Sequence, residues 1–181
     1  MVALLAELAG DLAFGIGNFR ARAERIGILE KLEQSLDHAV TAIAATVEMR
    51  DPYTAGHQRR VARLATAIAV EMGLPEPQVQ GLHMAGVVHD IGKIHVPAEI
   101  LSSPAKLSNA EFEIIKTHPQ TGYEILKGID FPWPVAEIVW QHHEKLDGSG
   151  YPRGLKDEEI LLEARILTVA DVVEAMASHR P

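Results

Sequence analysis

Five histidines and two aspartates are the residues of this chain whose types and spacing can do chemistry. His89 and Asp90 stand together in HDIGK, at the end of an apolar run. An imidazole and a carboxylate so placed can share one cation, and the second carboxylate oxygen can bridge to another. The same pair can instead cap a helix or form a salt bridge. His142 and His143 are adjacent and precede Glu144, Asp147 and the loop GSGYP. Neighbouring helical side chains diverge by roughly 100°, so both rings reach one cation only if it lies over the helix end. The alternative is a solvated terminus, where imidazolium suits the negative end of the helix dipole. Asp171 lies in LTVADVV, a helix that reads as apolar nearly all round and hence buried. An ionised carboxylate there costs several kcal/mol unless it is paired or binds metal, and Arg165 is the alternative partner. His57 and His118 complete the set. A lone histidine on an apolar stripe is ordinarily a hydrogen-bonded core residue, but a group of this size would be a costly way to build an inert core. His38, His83, His95 and His179 fall off these stripes and read as background.

The elements that must position these residues read as helices. Hydrophobic residues make up 47% of the 181-residue chain and aromatics only 5%. The abundance of Ala, Leu, Ile, Val and Glu favours helix over sheet, so an all-α protein is expected. Residues 1–50 read as one nearly continuous helix, with a break expected around Gly15 and Gly17. Leu29, Leu32, Leu36, Ala39 and Ile43 have coiled-coil spacing, which makes residues 1–36 a dimerising or signal-transmitting linker and residues 37–50 the first helix of a bundle. Asp51 and Pro52 stop it, and further helices are expected over 54–72 and 76–90. The first carries His57, Val61, Leu64, Ile68 and Met72 on one stripe, and the second ends in His89. Ser108 and Glu111 form a capping box for a fourth helix that Pro119 interrupts, with His118 at the break. Pro134 opens the next, which leads to His142 and His143, and a last helix runs from about 157.

The absence of cysteine leaves nitrogen and oxygen as metal ligands and fits a reducing compartment. A net charge of −8 argues against binding nucleic-acid polymers, which need clustered Lys and Arg. The apolar amino terminus carries Glu7 and Asp11 and lacks a basic leader, so no membrane span or secretory signal is expected and the location expected is cytoplasmic.

HDIGK, the histidine after the capping-box helix, HHEKLDGSGYPRGL and RILTVADVVEAM together resemble the HD-GYP family, a branch of the HD superfamily of metal-dependent phosphohydrolases. DPYTAGHQRRVARLA is similar to the start of that domain, and the resemblance covers roughly residues 37–181. It implies a helical bundle of the HD-domain type, with residues 1–36 as a long linker helix ahead of it. One metal would be held by His57, His89, Asp90 and Asp171 and the other by His118, His142 and His143, with Asp90 bridging. Some relatives place an acidic third-metal ligand four positions before the first histidine; Tyr53 stands there, so two ions are expected. They would be divalent transition metals, iron first, with manganese, nickel or zinc also suited to these ligands.

The family's usual substrate is c-di-GMP, opened to pGpG and in some members cut on to GMP, with a hydroxide bridging two metals as nucleophile. Asp90 and Lys93 would be the catalytic residues, Lys93 offsetting charge on the scissile phosphate; a surface lysine at a helix end is the alternative. Tyr151 and Arg153 can contact guanine or phosphate, or belong to a rigid loop that shapes the site. Partners implied are c-di-GMP, diguanylate cyclase (GGDEF) domains and a second copy through the N-terminal helix. The alternatives are another HD-superfamily phosphohydrolase, one acting on a different cyclic dinucleotide, and a catalytically weak c-di-GMP-binding or cyclase-interacting signalling module. LAELAGDLAFGIGNFRARAE resembles the last helix of a GAF sensory domain, and the family domain normally continues past His179-Arg180-Pro181, so a piece of a longer protein, truncated at its C-terminus, is expected.

Overall fold

The computed structural model describes residues 1–51, 56–103 and 105–178. Tyr53, on which a third metal turns, lies outside them, as do Thr54, where the second helix was expected to start, and His179. The architecture is all-α. The helices are α1 (Val2–Glu48), α2 (His57–Glu71), α3 (Glu76–Val88), α4 (Ala98–Leu101), α5 (Asn109–Ile115), α6 (His118–Leu126), α7 (Val135–Gln141) and α8 (Leu162–Ala177). Short 3-10 turns cover Ile91–His95 and Asp157–Glu159. Among the described residues the extended backbone pairs only in an isolated bridge between Asp147 and Lys156. None of their helices is long and apolar enough to cross a membrane.

The chain forms two units, Met1–Ala39 and Val40–Pro181. The first is a stretch of α1 on which Leu12, Phe14, Ile16, Phe19, Ile26, Leu29, Leu32 and Leu36 are all exposed. The break expected at Gly15 and Gly17 is absent, and α1 runs through both. Glycine weakens a helix by about 1 kcal/mol but, unlike proline, keeps the backbone N–H and the ladder intact.

The second unit holds the core. Val61, Ala65 and Ala69 of α2 recur every fourth residue and bury one face of that helix. They belong to one apolar cluster with Leu82 and Ala85 of α3, Val135, Ile138 and Val139 of α7, and Leu167 and Ala170 of α8. Glu48 starts α2 by accepting hydrogen bonds from the N–H groups of Gly56 and Gln58, because Gly56, in the left-handed region at φ 71°, has no side chain with which to cap.

Several boundaries differ from those read in the sequence. α3 ends at Val88, so that Asp90 leads into a 3-10 turn rather than closing a helix. The capping box of Ser108 and Glu111 is formed as expected. Pro119, however, opens α6 rather than interrupting α5, for in the first turn its missing N–H has no intrahelical partner to lose. α8 begins at Leu162 instead of near 157, and it is not buried all round: Val169, Val172, Val173 and Met176 are exposed. On α2, Met72 is likewise exposed at the end of its stripe.

The turn Ile91–His95 packs directly on the start of α6. A Cβ on Gly92 would fall 1.9 Å from the His118 carbonyl oxygen and 2.6 Å from the Gly122 nitrogen, so only glycine lets Asp90 and His118 approach. Gly92→Ala is expected to destabilise the fold by about 1–3 kcal/mol or more in urea unfolding. Gly128→Ala, whose Cβ would meet nothing within 4 Å, should stay within about 0.5 kcal/mol of the parent.

Candidate metal centre

Six of the seven singled-out side chains stand at helix ends. His57 opens α2, His118 opens α6, His89 and His142 close α3 and α7, and Asp90 and His143 each follow one residue later. Asp171 alone comes from mid-helix, in α8. The starts of α2 and α6 each aim one such side chain inward and the ends of α3 and α7 each aim two. The imidazole centroids form a connected chain: His57 to His89 at 5.4 Å, His89 to His142 at 5.2 Å, His142 to His118 at 5.2 Å and His142 to His143 at 4.1 Å.

The ligand atoms gather in three overlapping groups, His118/His142/His143, His57/His89/Asp171 and His89/Asp90/His142, each within 4.8 Å. Asp90 lies between the two sides, with Oδ1 3.4 Å from His118 Nε2 and Oδ2 3.5 Å from His89 Nε2. All seven side chains therefore converge.

Whether these residues suit a cation is decided by their ring protons. Nδ1 of His89 donates to the Gly86 carbonyl at 2.8 Å, that of His118 to Ile115 at 2.7 Å and that of His142 to Val139 at 2.6 Å. A carbonyl only accepts, so in each neutral ring Nε2 carries a lone pair. The Nε2 atoms of His118 and His142 are 3.2 Å apart, lone pair toward lone pair. His89 Nε2 is buried with no hydrogen-bond partner among the described residues. Such an array is unfavourable by itself and is the arrangement a divalent cation resolves.

Burial is the first cause keeping the rings of His118, His142 and His143 neutral. It lowers His118 to about 3, against the pull of Asp90 and with a push from His143, and lowers His143 to about 4 despite Asp171 and Asp90. Burial with His143 and His118 nearby sets His142 well below its ordinary value. Asp90 moves the other way relative to its burial: desolvation works to raise it, yet Lys93 and then the surrounding imidazoles hold it well below the usual carboxylate range. Asp171 is also held down, the hydrogen bond from His57 and the proximity of His89 overcoming its burial.

Asp171 pairs with His57 Nε2 at 3.0 Å, while Arg165 is engaged by the carbonyls of Ile160 and Asp157. His142 is fully buried, not a solvated terminus. Lys93 places Nζ 2.8 Å from Asp90 Oδ2 and 3.7 Å from Asp51 Oδ2, inside the centre rather than on the surface. Tyr151 packs its ring 4.8 Å from that of His143. Arg153 stacks on Trp140 at 4.4 Å, and Trp140 stacks on Tyr123 at 4.2 Å. His83 sits beside Thr66 and His95 is exposed, both away from the centre.

Two buried glutamates, Glu144 and Glu174, receive no role in the sequence reading. Glu144 accepts from the N–H groups of Arg153 at 2.7 Å and Leu155 at 3.0 Å, folding the GYP loop back onto the end of α7. Glu174 accepts from His57 Nδ1. The second had a readable signal, an acidic residue three positions after Asp171 on the same helix face.

The model of the HD domain matches residues 41–181, and the chain belongs to the HD domain family. The resemblance to its HD-GYP branch read from the motifs agrees with the relatives. The chain is 41% identical over 155 residues to the cyclic di-GMP phosphodiesterase response regulator RpfG of Xanthomonas campestris, covering 84% of this chain and 41% of that protein. It is 40% identical over 146 residues to 3′3′-cGAMP-specific phosphodiesterase 3 of Vibrio cholerae, covering 81% of this chain and 32% of the relative. It thus spans about two fifths of the length of the first and a third of the second. Among solved structures, the HD domain of the L. monocytogenes phosphodiesterase PgpH in complex with cyclic-di-AMP superposes with a TM-score of 0.58 at 26% identity, over 77% of this chain and 75% of that one.

A ring whose value is lowered in the fold binds fewer protons folded than unfolded, so stability is lost as acid is added below the unfolded value. Metal-free protein should therefore weaken progressively as pH falls from the ordinary histidine value of 6.5 toward the values of about 4 and 3 for His143 and His118. Urea midpoints measured at pH 7.5, 6 and 5 test this; midpoints that stay level across that range would contradict it.

Proposed function

We propose that this chain is a metal-dependent phosphodiesterase domain that hydrolyses a cyclic dinucleotide, c-di-GMP first, to the linear pGpG. The observation that carries the reading is the convergence of buried imidazole Nε2 lone pairs and two carboxylates on one small volume. The relatives supply the substrate class, since those compared are named for cyclic di-GMP and 3′3′-cGAMP, and the structural neighbour holds cyclic-di-AMP.

In this reading His57, His89, Asp90 and Asp171 hold one divalent transition-metal ion. His118, His142 and His143 hold the other, and Asp90 serves both. When bound, the ions supply Lewis acidity toward the phosphate and make water beside them a nucleophile near neutral pH. Iron is the first choice and manganese, nickel or zinc also suit nitrogen and oxygen ligands. Lys93 keeps a compact cation against Asp90 and shares it with a phosphate oxygen as negative charge develops there. Tyr151 walls the His143 side of the site, while Arg153, stacked on Trp140, holds the loop in shape rather than reaching the substrate. The complete set of seven side chains supports hydrolysis over a binding-only signalling module. A cytoplasmic setting, a GGDEF-domain partner and pairing of two chains through the exposed apolar residues of α1 belong to the same proposal.

Purified protein is expected to carry close to two transition-metal ions by elemental analysis and to convert c-di-GMP to pGpG on chromatography. Asp90→Asn should lower the metal content and cut turnover about a thousandfold or more, because several kcal/mol of transition-state stabilisation go with the ions. Protein that binds c-di-GMP tightly without metal and leaves it intact would overturn the proposal. Hydrolysis confined to another cyclic dinucleotide would keep the chemistry and change the substrate.

A further inference from the structure

The histidines of the centre are not held alike. His89, His118 and His142 each donate Nδ1–H to a backbone carbonyl three residues earlier in their own helical turn. His57 instead meets a side chain 117 residues away, with its Nδ1 against Oε2 of Glu174. Glu174 is 7% exposed and lies on α8 one turn beyond Asp171. Its Oε1 accepts from Arg60 Nε at 2.6 Å and from Ser178 Oγ at 2.5 Å.

His57 stands between two carboxylates, with Glu174 Oε2 at its Nδ1 and Asp171 Oδ1 3.0 Å from its Nε2. Both carboxylates only accept, so a cation taken up at Nε2 leaves the ring proton on Nδ1, where Glu174 receives it. A carbonyl partner merely orients an imidazole, whereas a carboxylate partner also raises the basicity of its far nitrogen. Arg60, half exposed on α2, pairs with Glu174 and holds its carboxylate in place against His57. The two sides of the centre therefore differ in donor strength: His57/His89/Asp171 has a carboxylate-backed imidazole, and His118/His142 has carbonyl-backed ones.

We infer that Glu174 is a positioning residue for the metal centre and that, through His57, it makes the His57/His89/Asp171 group the tighter of two unequal cation positions, the one that fills first. This rests on reading the centre as a metal site. Glu174 touches neither cation nor substrate, and its effect is on the affinity of one position.

The test is a calorimetric titration of chelator-stripped protein with Mn²⁺, accompanied by thermal unfolding. Wild type should show two classes of site. Glu174→Gln keeps the shape but not the charge, and should weaken the tighter class by about 10–100-fold while leaving the other within about twofold. Glu174→Asp should recover part of the loss. Nitrogen-15 NMR of the Zn²⁺-loaded wild type should find the His57 proton on Nδ1 alone. Wild type that binds no Mn²⁺ would sink the metal reading itself. Two sites of equal affinity, or two classes unchanged in Glu174→Gln, would overturn the role of Glu174 with the centre intact. Should that variant fail to fold, the wild-type spectrum decides: a His57 proton on Nε2, or on both nitrogens, overturns the inference.

Discussion

Three buried imidazoles that have each committed a proton to a backbone carbonyl, and therefore turn unprotonated nitrogens on one another, form the interaction on which the rest of this fold depends. At 3.2 Å, the His118 and His142 Nε2 atoms cannot both be satisfied by hydrogen bonds between themselves. Protonating a ring would relieve the contact, but burial and neighbouring imidazoles oppose that at neutral pH. What remains is a cluster of donor atoms suited to positive charge. Lys93 places a fixed cation at its edge, and the carboxylates of Asp90 and Asp171 supply the opposite sign.

Delivering so many polar groups to one place without burying bare backbone explains the use of helix ends. At a terminus the chain can leave the apolar body of the helix and aim one side chain inward. The carbonyl three residues back is within reach of the ring it orients, and this solution recurs at His89, His118 and His142. The cost is close packing between termini. Gly92 meets the His118 carbonyl, and a Cβ on Gly150 would fall 2.4 Å from the Lys145 nitrogen, so both loops carry glycine where backbone meets backbone. Glu48 and Glu144 serve the same end: Glu48 ties the start of α2, which presents His57, to the end of α1, and Glu144 ties the GYP loop to the end of α7.

Much of this was legible in the sequence because the residues that bind and the residues that bury follow different rules. Apolar periodicity gave α2, α3 and α7, and a histidine at the edge of each apolar stripe announced an inward polar group. His142 beside His143 required a target over a helix end, and their rings do meet there, 4.1 Å apart. Pairings across the chain were not legible. Nothing local in His57 points to Glu174, and the exposed valines of α8 cannot be told from buried ones by composition. The Pro119 boundary was misread because proline both ends a helix and opens one, and only the preceding turn at Lys116 and Thr117 decides which. Arg165 was a plausible partner for Asp171 by proximity in sequence, yet the backbone carbonyls of the preceding turn engage it first.

The central claim is spatial, and an anomalous-difference map from crystals of metal-loaded protein measures it most directly. The account predicts two strong peaks, one bounded by His57, His89 and Asp171 and one by His118, His142 and His143, with the Asp90 carboxylate between them. A map with no peak among these side chains, or with metal bound only elsewhere on the protein, would contradict it.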